Sequence, residues 1–253
     1  MIDVDAPAGR YREALAELPL SARHAARPEG AIVVVPGRGA WVDDALAAVS
    51  AGAIALVIAG PAAAPAAHLR RLAGTRIPIV LERVLLRADV SADAVGARAA
   101  TLGGMPPRVL VADVAASRAG LSAATRDAVG WLRVLAGESL TLVAADGGLA
   151  LLETSTGTAA TLTAVVTARS HAGRIRVQAL GEVITDVAVE GRAARLATAS
   201  PAGRLISPPR FESSERLAVR RAVEALAAQT TPTDLSDLVA DTELVEQILR
   251  PAR

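Results

Sequence analysis

The chain has 253 residues, 52% hydrophobic and only 2% aromatic, with 27 basic and 26 acidic side chains for a net charge of +1. That length suits one large domain or two small ones with a well-buried core. The balanced charge and scarcity of aromatics argue against a phosphate-tracking or base-stacking nucleic-acid surface, and the absence of cysteine excludes disulfides, thiolate catalysis and zinc–thiolate sites.

Every basic side chain is arginine; the chain contains no lysine and no asparagine. A guanidinium stays protonated at any usable pH, so arginine cannot stand in for lysine in proton transfer. The opening MIDVDAPAGR is acidic and lacks an apolar core, unlike a signal peptide. The uncharged run 51–67 is short for a membrane span and carries Pro61 and Pro65, which reads as a buried strand leading into a loop and helix start. A soluble cytoplasmic protein is expected.

In chain order, Ala31–Val35 is a continuous apolar run, as a strand covered on both faces should be. A helix follows from Trp41 to Ser50, then a strand at Ile54–Ile58, a helix over Ala63–Leu72 and a strand at Ile77–Leu81. Alternation with short links predicts a parallel, right-handed α/β sheet. After Arg87 the pattern changes to a helix at Ala92–Ala100, a strand at Val109–Val114 and a long helix at Ala123–Ala136. Beyond these come period-two strands. Arg174, Arg176 and Gln178 oppose Ile175, Val177 and Ala179, and Thr161, Thr163 and Thr167 oppose Leu162, Ala164, Val166 and Ala168. That predicts an antiparallel sheet with one packed and one polar face. Two helices close the chain, one starting at Ser213 or Ser214 and one after Thr233. The expected fold is a truncated Rossmann-like α/β domain over 1–87, followed by an α+β domain over 88–253 with an open antiparallel sheet.

Four stretches in this order resemble the Gfo/Idh/MocA family of glucose-fructose oxidoreductases and inositol dehydrogenases: VVVPGRGAWVDDALAAVSAG, ALVIAGP, ATRDAVGWLRVLAG and LVADTELVEQIL. The resemblance implies an NAD(P)-dependent oxidoreductase of sugars or cyclitols, with a glycine-rich dinucleotide loop, a Glu-Lys-Pro lysine and a His-x-x-Asp pair. Residues 1–30 contain no GxGxxG and are too few for the usual strand–helix–strand–helix lead-in. The Glu-Lys-Pro positions fall on Ala59, Gly60 and Pro61, and the His-x-x-Asp positions on Ala124 and Asp127. Hydride transfer from an alcohol needs an acceptor for the hydroxyl proton, and neither usual acceptor is present.

Asp127 is the one candidate catalytic acid; beside Arg126 and near Arg133 it also reads as half of a structural ion pair. Gly37 and Gly39 are the candidate cofactor contacts, because a glycine turn between an apolar strand and a helix can cradle a phosphate. The same turn is equally what glycine's backbone freedom serves. His24, His68 and His171 are not clustered with carboxylates, so no metal is expected. Asp43, Asp44, Glu212 and Glu215 read as helix-start acids, and Trp41 and Trp131 as core anchors. Arg169, Arg174 and Arg176 form a cationic sheet face, either solvated or a subunit contact of the kind the resembling family makes.

The primary expectation is therefore a non-catalytic structural or regulatory subunit that uses no cofactor. Its partner would be itself or a full-length oxidoreductase-family subunit, with no nucleic acid or membrane involved. The alternatives are an NAD- or NADP-dependent dehydrogenase of a sugar or cyclitol, and a small-ligand binding module.

Overall fold

A computed structural model describes residues 1–18, 20–102, 106–168 and 173–250. The chain begins with β1 (Ile2–Asp5), α1 (Arg10–Ala16) and β2 (Ala22–Ala25), then runs β3 (Ile32–Pro36), α2 (Trp41–Ser50), β4 (Ala55–Ala59), α3 (Ala66–Ala73) and β5 (Ile79–Glu82). The five strands form one parallel sheet in the order β2-β1-β3-β4-β5. This is the doubly wound order 3-2-1-4-5-6 without its outermost strand.

The lead-in thus differs from the sequence expectation. Residues 1–25 do hold the first strand, first helix and second strand. They escape a pattern reading because β1 and β2 are four residues each and carry charges. Against that six-strand order the chain passes directly from β2 to β3, without the outermost strand and the two crossovers that would lead into and out of it.

The strands β3, β4 and β5 are apolar at nearly every position because both faces are covered. Val4, Ile32, Val34, Val57 and Val80 pack with Tyr11 and Leu15 of α1 on one face. Val33, Val35, Leu56, Ile58 and Leu81 pack with Trp41, Leu69 and Leu72 on the other. Each fully buried aliphatic side chain contributes about 1.5–3 kcal/mol.

Next come α4 (Ala88–Leu102), β6 (Val109–Ala116), α5 (Leu121–Ala136), β7 (Leu140–Asp146), β8 (Leu149–Thr154), β9 (Ala159–Val166), β10 (Arg174–Leu180), β11 (Ile184–Glu190), β12 (Ala193–Ser200) and β13 (Gly203–Ile206). They build an eight-stranded sheet, β13-β12-β11-β10-β6-β9-β8-β7. It is antiparallel except for the parallel pair β6–β9. One face carries Leu110, Val114, Leu152, Leu162, Ile175, Val177 and Val187 into a core with Trp131 and Leu132 of α5. The other face is bare, and β10 alternates exposed and buried from Arg174 to Val177, with Gln178 half-buried. The alternation foreseen around Thr161 holds to Ala164 and stops at Val165 and Val166, both exposed.

The helices α6 (Ser214–Ala228) and α7 (Asp234–Ile248) close the chain. Ser213 caps α6, its hydroxyl accepting from the Arg216 N–H at 3.1 Å, as a serine at that position should. Ala218, Val219 and Ala222 of α6 lie in the same cluster as β1, β3 and β4. Residues 211–240 accordingly belong with 1–83 in one compact unit, and 84–210 with the chain from 241 onward in a second. The sequence reading set a single division at 87; helix packing far along the chain is what makes the path return.

Candidate functional site

In open parallel sheets, ligands bind outside the carboxyl ends of the strands where the strand order reverses. Here that point lies between β1 and β3. Three loops leave this edge, and each holds a glycine in the left-handed region: Gly9 after β1 (φ 93°), Gly39 after β3 (φ 60°) and Gly60 after β4 (φ 60°). At all three, a Cβ would meet nothing within 4 Å, so the edge is open and lined by backbone.

Gly37 has a different role. A Cβ there would come within 2.6 Å of Pro61 Cα. Its N–H donates to the Ala59 carbonyl at 2.8 Å, and the Ala62 N–H donates to its carbonyl at 2.7 Å. Gly37 therefore clasps the β3 and β4 loops together, and Gly39 supplies the open turn beside them. The exposed Arg38 between them has no side-chain hydrogen bond or ion pair among the described residues.

The β1–α1 link reads Ala6-Pro7-Ala8-Gly9-Arg10-Tyr11. In the GxGxxG register, Ala6, Ala8 and Tyr11 take the glycine positions. The third of these normally lets helix and strand pack closely. Tyr11 instead lies buried against the sheet, and its hydroxyl donates to Glu82 Oε2 at 2.6 Å. The Ser214 hydroxyl lies 2.6 Å from Glu82 Oε1 and 3.1 Å from Glu215 Oε2. Arg10 approaches Glu215 at 3.7 Å. One buried carboxylate thus ties the first turns of α1 and α6 to the end of β5. Glu82 is paired in register with Ala59, and its carbonyl accepts from the Gly60 N–H at 3.1 Å. A buried glutamate therefore stands beside the position where the resemblance places a lysine.

Sequence reasoning missed this cluster. Its only signal was a Glu-Arg pair ending an otherwise apolar strand. The parallel neighbour of β1, strand β2, ends in Ala25 and is followed by Ala26 and Arg27.

In the second unit, Ala124 is 2% exposed. A Cβ on Gly173 would lie 3.1 Å from its own, so the Gly173 backbone passes close to Ala124. Asp127 is buried on α5 with its Oδ1 3.3 Å from Arg126 Nη2. Arg133 reaches Asp241 at 2.9 Å. Among the four acids read as helix-start residues, Asp43 and Asp44 stand in the first turn of α2. Glu212 binds Arg220, and Glu215 turns inward to Ser214. Trp41 and Trp131 are both core residues, the Trp131 indole donating to the Leu85 carbonyl at 2.7 Å.

Arg174 and Arg176 point from the bare face of the eight-stranded sheet, where they line a groove of about 680 Å³ with Asp113, Glu190 and Arg195. Arg176 makes a two-pronged contact with Asp186 at 2.8 and 2.9 Å. Arg169 and His171 lie outside the described residues. His24 is on β2, and His68 is on α3. Among the described residues no cluster of three acids or histidines could hold a metal, and no helix is long and apolar enough to cross a membrane.

No protein-family model and no curated protein matches the chain. Solved structures do. UDP-N-acetylglucosamine 3-dehydrogenase GnnA from Acidithiobacillus ferrooxidans superposes with a TM-score of 0.69 at 15% identity, over 98% of this chain and 96% of that one. A 3-ketoreductase from Actinomadura kijaniata in complex with NADP gives 0.68 at 15% identity over the same shares. Its open conformation with TDP-benzene and NADP gives 0.69 at 15% identity, over 100% of this chain and 98% of that one. These are sugar oxidoreductases of the Gfo/Idh/MocA type, so the chain has the fold that the sequence resemblance implies. The comparison overturns the expectation of no cofactor, because structures sharing this fold over nearly the whole chain hold NADP. That expectation rested on a missing lead-in, and β1, α1 and the β1/β3 switch point are in place.

Proposed function

We propose that this protein is an NAD(P)-binding, oxidoreductase-like subunit that lacks the proton-transfer residues of its structural relatives and works in an oligomer in the cytoplasm. The open edge at Gly9, Gly39 and Gly60 fits a dinucleotide, whose phosphates need close backbone approach. The loops after β1 and β3 would hold it, with Arg38 as a neighbouring cation. A bound nicotinamide supplies or accepts hydride. This chain's residues would orient it and shield it from water.

The observation that carries the non-catalytic reading is the pair Gly60 and Ala124. Neither has a titratable side chain, and no lysine exists elsewhere in the sequence. Asp127 is engaged with Arg126 inside the second unit. The partner we propose is a second copy, or a full-length subunit of the same fold, meeting the bare sheet face. That face is self-complementary: Arg174 and Arg195 make no ion pair among the described residues, nor does Glu190. Leu149, Leu151 and Val165 are exposed on its adjacent strands β8 and β9. A two-fold axis can set such cations against such acids.

The test is a fluorescence titration with NADPH, followed by a turnover assay with nucleotide-linked 3-keto sugars and a mass measurement by light scattering. Saturable binding, no nicotinamide oxidation and a dimeric mass are expected. A second reading, an NAD(P)-dependent dehydrogenase of a sugar or cyclitol, is favoured by Glu82 beside Ala59. Turnover that Glu82→Gln abolishes would establish that reading in place of the first.

A further inference from the structure

The residue after a dinucleotide fold's second strand decides between the two nicotinamide cofactors. An acid about 20 residues beyond the glycine loop accepts the free ribose 2′-hydroxyl of NAD, while an arginine there takes the 2′-phosphate of NADP. The topology identifies that strand here as β2, the parallel neighbour of β1, with Ala25 opposite Asp5. From Ala22 to Pro28 the chain reads Ala-Arg-His-Ala-Ala-Arg-Pro, with no carboxylate. Arg23 is already engaged with Asp3. Arg27, just past the carboxyl end of the strand, is exposed and makes no hydrogen bond or ion pair among the described residues. Pro28 behind it restricts the Arg27 backbone to extended conformations.

We infer that Arg27 selects NADP over NAD by contacting the 2′-phosphate. The inference rests on the dinucleotide-binding reading proposed above. A guanidinium suits a phosphate because it offers several donors in one plane and always carries charge. Arg38 lies on the loop after β3, which is not the strand that carries the ribose contact, so it is not the discriminating cation.

The experiment measures binding of NADPH and NADH to the full chain and to Arg27→Ala and Arg27→Lys at one ionic strength, with adenosine 2′,5′-bisphosphate and 5′-AMP as fragment probes. The wild-type protein is expected to bind NADPH more than about tenfold tighter than NADH, the scale of one charge-assisted contact. Arg27→Ala should lose that preference with NADH affinity unchanged, and Arg27→Lys should keep part of it. The bisphosphate should bind more tightly than 5′-AMP only when residue 27 is a cation. Equal affinity for the two cofactors in the wild type, or equal weakening of both in Arg27→Ala, overturns the role of Arg27 while dinucleotide binding stands. Failure of both cofactors to bind overturns the dinucleotide reading and this inference together.

Discussion

The two sheets of this protein are built on opposite rules. In the five-stranded parallel sheet, neighbouring residues on a strand point to opposite faces and both are buried, as with Val57 and Ile58. In the eight-stranded sheet, neighbours such as Arg174 and Ile175 divide between solvent and core. A sheet covered on both faces places its chemistry at its carboxyl edge, where the strands run out into glycine turns. A sheet covered on one face leaves a broad surface free for another molecule. The same chain thus has an open carboxyl edge in one unit and a bare sheet face in the other.

Substitutions in adjacent positions should expose that difference most sharply. Ile58→Ala and Val57→Ala are both expected to destabilise by about 2–4 kcal/mol, because each leaves a cavity. Ile175→Ala should cost a similar amount, while Arg174→Ala stays within about 0.5 kcal/mol, the range for a solvated site. Urea unfolding of the four variants checks this, and a large effect at Arg174 would mean its face is covered even in the isolated chain.

The carboxyl edge has its own dependence on Glu82. Glu82→Ala removes the acceptor of the Tyr11 hydroxyl and a partner of Ser214, so a loss of about 2–3 kcal/mol is expected. Tyr11→Phe, which leaves the ring in place, should cost about 1 kcal/mol. Equal losses in thermal unfolding would mean that the Tyr11–Glu82 hydrogen bond accounts for the whole Glu82 effect, and no loss in Tyr11→Phe would mean that the ring alone holds α1.

On the sheet face proposed to pair two copies, Arg174→Glu combined with Arg195→Glu should convert the proposed dimer to monomer with the fold unchanged, because like charges would then meet across the two-fold axis. Light scattering with circular dichroism distinguishes dissociation from unfolding.

The smallest expected effect is on pH. Burial raises the Asp89 carboxyl's affinity for protons, but hydrogen bonds from Arg87 and the Val90 N–H, with the charges of Arg87 and Arg210, outweigh it and hold its pKa below the usual aspartate value. A depressed folded-state pKa contributes stability above the unfolded value and loses it as the pH falls through the folded one. Asp89→Asn should therefore weaken the protein at neutral pH and flatten its acid unfolding below about pH 4, where free aspartates protonate.

Much of this was legible in the residues themselves. The runs AIVVV and ALVIA could hardly be anything but buried strands, and α5 and α7 show their helical spacing plainly. The alternation of β10 announced its bare face. The short strands β1 and β2 were illegible because four residues bearing charges look like a loop until a neighbouring strand pairs with them. Arg27 stayed hidden with them, since its meaning depends on knowing which strand it follows. The Tyr11–Glu82–Ser214 bridge was out of reach for a different reason: its members are separated by 71 and 132 residues, and no local pattern signals such a meeting.

The sequence by itself determined the chemical inventory and the local periodicities. It showed that no lysine or cysteine was available, that the lysine position of the resembling family held glycine, and that one sheet would be doubly covered and the other half bare. These follow from side-chain chemistry and from the spacing of apolar residues, which a chain carries wherever it goes. Only the tertiary structure decided which loops share an edge, that α6 returns to the first sheet, and that Glu82 lies beside Ala59. Those outcomes depend on crossover connections that bring distant segments side by side, and their register is set by packing of both partners at once.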